Sequence, residues 1–220
     1  MSLDARKPDT PGDDAPLRRD PARTRTRLLD AAIAEFSEQG IHGARTDRIA
    51  RRAGTNIRML YHYFGSKDDL YLAALEVVLA ELRHDELRID PEQGDPLEGL
   101  LHVFDYVDGH FGSHPALRKL LAFENLNEAR HLGRSEKMLA MSSPVIVLIR
   151  RLLQRGAAAG SVRAGVDALH LYVSMVSLAY YGRAHAYTLS HIFGKDLHKP
   201  AWQRAHLKQT REMVASFLRP

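Results

Sequence analysis

The feature that most constrains the fold is the run of residues at positions 44–70, ARTDRIARRAGTNIRMLYHYFGSKDDL. Apolar residues recur at helical spacing in two short segments of this run, and Leu60 and Phe64 stand four apart on one side of the second segment. Gly54 separates the two segments, because glycine accepts the left-handed backbone that follows a helix end without steric cost. The run therefore predicts two short helices joined by a tight turn, followed by the start of a third helix.

Residues suited to helix ends define the boundaries within this run. Thr46, Asn56 and Ser66 are predicted to cap the three helices in turn, since short hydroxyl and amide side chains accept an N–H of the first helical turn. Gly65 is expected to end the second helix immediately before the third begins. The three helices should accordingly follow one another with almost no intervening chain.

The outer side of the second helix is polar and cationic. It carries Arg58, Tyr61, His62 and Tyr63, whose side chains can bond phosphates, stack on sugars or reach base edges. A helix, a glycine-containing turn and a second helix with such a face form the helix-turn-helix pattern, whose second helix lies in the DNA major groove. Arg58 is the best candidate for reading a base, because a guanidinium can bond the guanine edge through two hydrogen bonds.

The distribution of charge supports this interpretation. The whole chain has a net charge of +4, and residues 18–70 contain 11 Lys and Arg against 7 Asp and Glu, so the excess is concentrated around the motif. Charge alone would equally fit a solvated basic surface. Combined with the motif, it indicates a surface that meets phosphates.

The complete run resembles the DNA-binding domain of TetR-family transcriptional regulators, whose signature has the form A-G-V-S-x-x-x-L-Y-Y-H-F-x-S-K-x-x-L. The resemblance extends from about residue 24 to residue 75 and departs at positions 55–56 and 62–63, where chemically similar residues stand. The matching residues are Ala53, Gly54, Leu60, Tyr61, Phe64, Ser66, Lys67 and Leu70.

The resemblance also implies that the residues opening the first helix contact the DNA backbone. With those two positions added to the motif, the predicted DNA-binding residues are Thr24, Arg25, Thr46, Arg58, Tyr61, His62, Tyr63 and Lys67.

The rest of the chain predicts an all-α fold. We expect a disordered arm at residues 1–20, a three-helix DNA-binding domain at 21–68, and a helical ligand-binding and dimerisation domain at 69–220. Residues 167–190 are apolar on nearly every side, which predicts a buried helix. The resemblance implies that the last two long helices pack on a second subunit as a four-helix bundle, although a core helix of a single chain would show the same pattern. The predicted long helices cover residues 22–39, 66–89, 134–159, 167–190 and 200–218.

Several classes of protein are not supported by the sequence. There is no cysteine, which excludes disulfides and thiolate metal sites and suits the cytoplasm, where we expect the protein near the nucleoid. The first residues do not form a signal peptide, and the longest apolar run is too short to span a bilayer, so no membrane partner is expected. His102, His110 and His114 lie on or beside one predicted helix, but Gly112 and Pro115 interrupt it between the pair that stands four apart, so surface histidines are favoured over metal ligands. No motif of an enzyme or cofactor site occurs, so we predict no catalytic residues, metal or cofactor.

Polar side chains interrupt the apolar stripes of the second half. A small-molecule pocket is typically apolar with a few placed polar groups, although a hydrogen-bonded core would contain the same residue types. We expect such a pocket around the far end of the helix that begins at residue 66. The candidate ligand-binding residues are Tyr106, His110, Glu124, Tyr172 and Tyr181.

These observations predict a repressor that binds a palindromic DNA operator as a homodimer and is released by a small-molecule effector. Effector binding would shift the population away from dimers whose recognition helices lie about one DNA turn, roughly 34–36 Å, apart. The alternative is a helical small-molecule-binding protein or enzyme in which the motif is vestigial. The intact run at residues 58–67 favours the regulator, because a carrier would have no reason to keep it.

Overall fold

The computed structural model describes residues 20–86, 90 and 93–220, and no β-strand occurs in these ranges. The predicted arm at residues 1–20 lies outside them except for Asp20. A short 3-10 helix at Leu132–Arg134 precedes α7. The α-helices are α1 Pro21–Gly43, α2 Thr46–Arg52, α3 Ile57–Phe64, α4 Lys67–Glu86, α5 Pro96–Ser113, α6 Pro115–Leu126, α7 Glu136–Ala158, α8 Ala168–Ala184, α9 Ala186–Phe193 and α10 Pro200–Leu218. The predicted all-α fold is confirmed.

Helix α1 forms the base on which α2 and α3 pack. Asp20 caps it by accepting the N–H groups of Ala22 and Arg23, and Phe36 is fully buried against the core. Gly40 has a φ of 63°, so the regular part of α1 ends there, as the sequence predicts. A Cβ at Gly40 would lie 3.0 Å from the ring of Phe123 in α6. The glycine therefore permits α6 to approach α1 closely.

Helix α4 connects the two halves of the chain. Leu70, Tyr71 and Leu75 are fully buried, and α4 packs against α1, α5, α6 and α7. The helix runs without a break through the predicted domain boundary between residues 68 and 69. Its predicted last residues, 87–89, lie outside the described ranges. A movement of α4 would therefore displace residues on both sides of that boundary.

The prediction of one buried helix at residues 167–190 is wrong in two respects. The chain forms α8, which ends at Ala184, and then the separate helix α9. One side of α8 also faces outward, since Leu169, Val173 and Tyr181 are 53%, 54% and 56% exposed. The inner side of α8 packs against α5 and α7, and among the described residues its outer apolar side stays about half exposed.

The remaining helices agree more closely with the sequence. Helix α10 has the predicted bounds, and α7 begins at Glu136 rather than at 134 because the 3-10 helix occupies the preceding residues. Within the two long described ranges, every helix is too short or too polar to span a lipid bilayer.

Candidate nucleic-acid interface

The orientation of α3 is set by its apolar side. Asn56 caps the helix as predicted, with its side-chain oxygen 3.0 Å from the N–H of Met59. Leu60 is fully buried and Phe64 nearly so. Because the side chains of Leu60 and Phe64 are buried, Arg58 and His62 face outward. The outer side of α3 is therefore an exposed polar surface of the predicted composition.

Two predicted DNA-binding residues contact each other. Thr46 does not cap α2 as predicted, because it is the first helical residue and the capping position belongs to Arg45. The Thr46 hydroxyl instead lies 3.3 Å from the hydroxyl of Tyr61 on α3. Tyr61 is 43% exposed. The pair brings two hydroxyl groups to the surface where α2 begins, a position suited to a phosphate oxygen.

The start of α2 is held by Glu35, a residue that the sequence interpretation missed. Its fully buried carboxylate accepts the N–H of Arg45 at 3.2 Å and lies 3.4 Å from the guanidinium of Arg48. Its position beside Phe36 on the inward side of α1 is the sequence feature that could have identified it. Glu35 thus fixes α2 on α1.

The N-terminal end of α1 lies beside α3. The Thr24 hydroxyl donates to the backbone oxygen of Asp20 at 3.1 Å, and the Arg25 guanidinium lies 4.9 Å from the centre of the Phe64 ring. A cleft of about 670 Å³ opens between the two helices. It brings together Thr24, His62 and Tyr63 and adds Arg27, which was not predicted as a site residue.

The first turn of α4 completes this surface. Ser66 caps α4 as predicted: its hydroxyl accepts the N–H of Asp69 at 3.0 Å and donates to the Asp69 carboxylate at 2.6 Å. Hydrogen bonds from Ser66 and then from Arg134 hold the pKa of Asp69 below its ordinary value. Lys67, the predicted backbone contact, is the first residue of the helix and is half-buried. Its position is consequently fixed by the capped turn.

The loop between α6 and α7, residues 127–135, joins the second half of the chain to α4. Arg134 contacts Asp69 at 2.5 Å, in the same turn as Lys67. The Ser135 hydroxyl donates to Glu76 at 2.6 Å, two turns further along. This α6–α7 loop therefore touches the end of α4 nearest the predicted DNA surface.

Glu124 holds the α6–α7 loop in place. Its carboxylate accepts the backbone N–H groups of His131 and Leu132 at 2.7 and 2.9 Å, and its second oxygen lies 2.9 Å from the His131 ring nitrogen. The His131 ring meets Tyr71 of α4 edge-on at 4.8 Å. Burial, and then the charge of Glu124, raise the pKa of Tyr71. The carboxylate predicted to address a ligand is thus occupied by three internal contacts.

Three of the other predicted ligand residues lie along the far half of α4. The Tyr106 hydroxyl is 3.3 Å from the backbone oxygen of Glu81 and 3.1 Å from the ring of His110. Tyr172 bonds Arg83, whose guanidinium also lies 5.1 Å from the tyrosine ring centre. The far half of α4 therefore meets polar groups of both α5 and α8.

Tyr181 is placed elsewhere. It lies on the outer side of α8 and stacks on His185, with ring centres 4.4 Å apart. His110 lines a cleft beside α4 together with His84 and His114, whereas Tyr181 lines a different cleft between α8, α9 and α10. In the part of the chain that the structure describes, no three His, Asp or Glu side chains come together as metal ligands would. The five predicted ligand residues consequently do not form one site.

Comparison with protein families matches both halves of the chain. Residues 28–74 match the family described as bacterial regulatory proteins, tetR family. Residues 96–214 match the family described as tetracyclin repressor-like, C-terminal domain. The first match covers the helix-turn-helix and the second covers most of the helices from α5 to α10.

Individual proteins give the same result. The chain is 32% identical to the HTH-type transcriptional repressor NicS of Pseudomonas putida over 80% of this chain and 82% of that protein. It is 33% identical to the HTH-type transcriptional repressor SCO4008 of Streptomyces coelicolor over 73% and 80% of the two chains. The crystal structure of SCO4942 from Streptomyces coelicolor superposes with a TM-score of 0.65 at 25% identity, covering 90% of this chain and 99% of that one. The chain therefore belongs to the TetR family of bacterial transcriptional regulators, and it is a helix-turn-helix DNA-binding protein and not an enzyme.

Proposed function

We propose that this regulator represses transcription by binding a palindromic operator as a homodimer, and that a small-molecule effector releases it. The observation that carries the proposal is the exposed polar side of α3, flanked by the Thr46–Tyr61 pair and by Lys67. Two relatives that share most of its length are named as repressors. Repression is accordingly the first regulatory outcome to test.

The DNA-contacting side chains divide into two roles in this proposal. Arg58 is exposed on α3 and reads a base edge in the major groove. Thr24, at the start of α1, and Lys67, at the start of α4, bind phosphates on either side of that groove, because N-terminal helix ends favour anions. The other predicted contacts, Arg25, Tyr61, His62 and Tyr63, add backbone and sugar contacts between them.

The dimer is supported by an apolar stripe on the outer surface. Leu169, Val173 and Tyr181 follow one another at multiples of four residues on α8 and are about half exposed. Met213 and Phe217 of α10 are exposed to a similar degree. Pairing these stripes across a two-fold axis would bury them and hold two α3 helices at a fixed separation. Such a dimer requires an operator with two half-sites.

Effector action is proposed to pass through α4. Tyr106, His110 and Tyr172 meet its far half, where an apolar effector with a polar group would compete for their hydrogen bonds. The near end of α4 carries Lys67 and is held by the α6–α7 loop through Arg134. An effector that binds the two arrangements of α4 with different affinity would shift the dimer between them.

The test is selection of bound DNA from a random pool, followed by titration of the selected site. Arg58→Ala should relax the preference at one base pair in each half-site, at a cost of roughly 1–3 kcal/mol. Lys67→Ala should weaken all sequences alike, and Arg204→Ala, which changes an exposed arginine on α10, should weaken none. Affinity should also fall steeply with salt as counterions are released. Recovery of no preferred sequence would contradict the proposal and favour a protein whose motif is vestigial.

A further inference from the structure

A cleft of about 720 Å³ lies between α8, α9 and α10. Its volume falls within the range of about 300–1,000 Å³ typical of small-molecule sites. The residues that give it its character are Tyr181, Leu189, Phe193, Lys195, Trp202 and His206. None of them belongs to the proposed DNA surface.

The walls of this cleft are fixed by local structure. Gly194 has a φ of 61°, which ends α9 and turns the chain back toward α10. The Ser190 hydroxyl accepts the N–H of Leu197 at 2.9 Å, and the Gln203 side chain donates to the Leu197 oxygen at 2.6 Å. The segment that carries Lys195 is therefore pinned to both neighbouring helices.

The floor of the cleft is closed by a near contact between α8 and α10. A Cβ at Gly182 would lie 3.2 Å from the His206 ring and 3.6 Å from the Trp202 ring. The Trp202 and His206 rings stack with centres 4.7 Å apart and an interplanar angle of 16°. These two stacked rings form an aromatic pair on α10.

The opposite side of the cleft is also aromatic, and its charged group is cationic. Phe193, at the end of α9, is 66% exposed in the single chain and offers a further aromatic ring. Lys195 lines the cleft and contributes an ammonium group to it. Flat aromatic surfaces favour a planar ring, and an ammonium group favours an anion.

We propose that this cleft binds a planar aromatic anion, such as an aromatic carboxylate or sulfonate. Its ring lies between Phe193 and the Trp202–His206 pair, and its anionic group is oriented toward Lys195. Tyr181 also ends the apolar stripe of α8, so the cleft opens at the edge of the proposed dimer surface. The site is separate from the polar groups on α4 and does not depend on their role in effector binding.

Trp202 makes the proposal directly measurable, because it is the sequence's single tryptophan. The probe is 8-anilinonaphthalene-1-sulfonate, an aromatic anion that accepts energy from tryptophan, added to the full-length protein. We expect saturable quenching of Trp202 with matching emission from the probe at one site per subunit. Absence of saturable quenching would overturn the proposal, and it is the result expected if the partner subunit fills the cleft instead.

Variants separate the aromatic and the charged contributions. Lys195→Met should weaken binding roughly two- to fivefold, as for an ion pair at an exposed site, and Lys208→Met on the exposed part of α10 should leave it unchanged. Phe193→Ala should weaken binding roughly tenfold, while Ile192→Ala, also exposed on α9, should not.

An uncharged probe gives an independent control that needs no further variant. N-phenyl-1-naphthylamine lacks the sulfonate, so it should bind the natural protein and Lys195→Met equally. Equal affinity of the natural protein and Lys195→Met for the sulfonated probe would overturn the assignment of an anion site. Circular dichroism of each variant confirms that its helices remain formed.

Discussion

Replacing Glu124 tests whether the α6–α7 loop controls the DNA surface. Its buried carboxylate accepts two backbone N–H groups and the His131 ring, and it is 1% exposed. Glu124→Ala would leave these donors buried without an acceptor, each costing about 1–3 kcal/mol. Because these contributions overlap, we expect a total loss of about 3–5 kcal/mol in the free energy of unfolding.

Glu124→Gln is the more informative change, since it keeps one carbonyl oxygen for the two backbone donors. We expect it to lower the free energy of unfolding by about 1–2 kcal/mol, the value of one charge-assisted hydrogen bond. The freed loop would hold Arg134 less firmly on Asp69, so operator affinity should also fall. Urea denaturation gives the first quantity, and fluorescence anisotropy with the selected operator gives the second.

Asp108→Asn is the matched control for this experiment. Asp108 is 4% exposed and pairs with Arg183 of α8 at 2.5 Å, so it is a second buried carboxylate held by a side chain of another segment. Its contact lies between α5 and α8, away from the first turn of α4. The control should lose stability while keeping its operator affinity. If both variants bound the operator equally, stability alone would explain the result and the proposed route through the loop would be refuted.

Three further predictions concern other parts of the molecule. Val173→Glu should shift the protein toward monomers in sedimentation velocity, whereas Val147→Glu, at an exposed valine on α7, should not. A Val173→Glu protein that remained dimeric would contradict the proposed dimer surface on α8. Asp69, whose pKa is lowered, contributes stability above its unfolded pKa of about 4 and loses it as the pH falls through the lower folded value. Asp69→Asn should therefore reduce the free energy of unfolding at pH 7 by at most about 1 kcal/mol, because the Asp69–Arg134 pair is partly exposed. The loss should shrink as the pH falls through the folded pKa of Asp69, and a loss that did not change with pH would argue against this cause. Glu35→Gln should lower the free energy of unfolding by about 1–2 kcal/mol and weaken operator binding. Unchanged operator binding would show that α2 does not need the Glu35 carboxylate to hold its position.

The helix ends around the motif could be predicted, because they are determined by residues close in sequence. Asn56 and Ser66 cap through neighbours within three residues, and Gly40 turns the chain where its missing side chain allows it. Thr46 was predicted incorrectly because its hydroxyl bonds Tyr61, fifteen residues away, which no local pattern contains. Whether a hydroxyl such as that of Thr46 caps its own helix or bonds a neighbouring helix depends on contacts between helices.

The structure of the second half depended more on distant contacts. The Glu124–His131 pair requires the chain to reverse between them, and Glu128 and Ala129 adopt φ values of 57° and 55°. Neither residue type commonly adopts the left-handed conformation, so no local pattern predicted this turn. The end of α8 at Ala184 likewise coincides with no proline, and the next helix begins only two residues later, at Ala186.

The unbroken course of α4 has a consequence for building hybrid regulators. A fusion joined between residues 68 and 69 would cut the capped turn and separate Ser66 from its partner Asp69. A graft that supplies new DNA specificity should therefore be joined beyond the middle of α4. The protein that receives the graft must also have, in its helix α6, an aromatic side chain that fits beside Gly40, as Phe123 does here. Exchange of the C-terminal helical domain is thus constrained by the packing of α1 and α4 against α6, and a flexible linker would not preserve this packing.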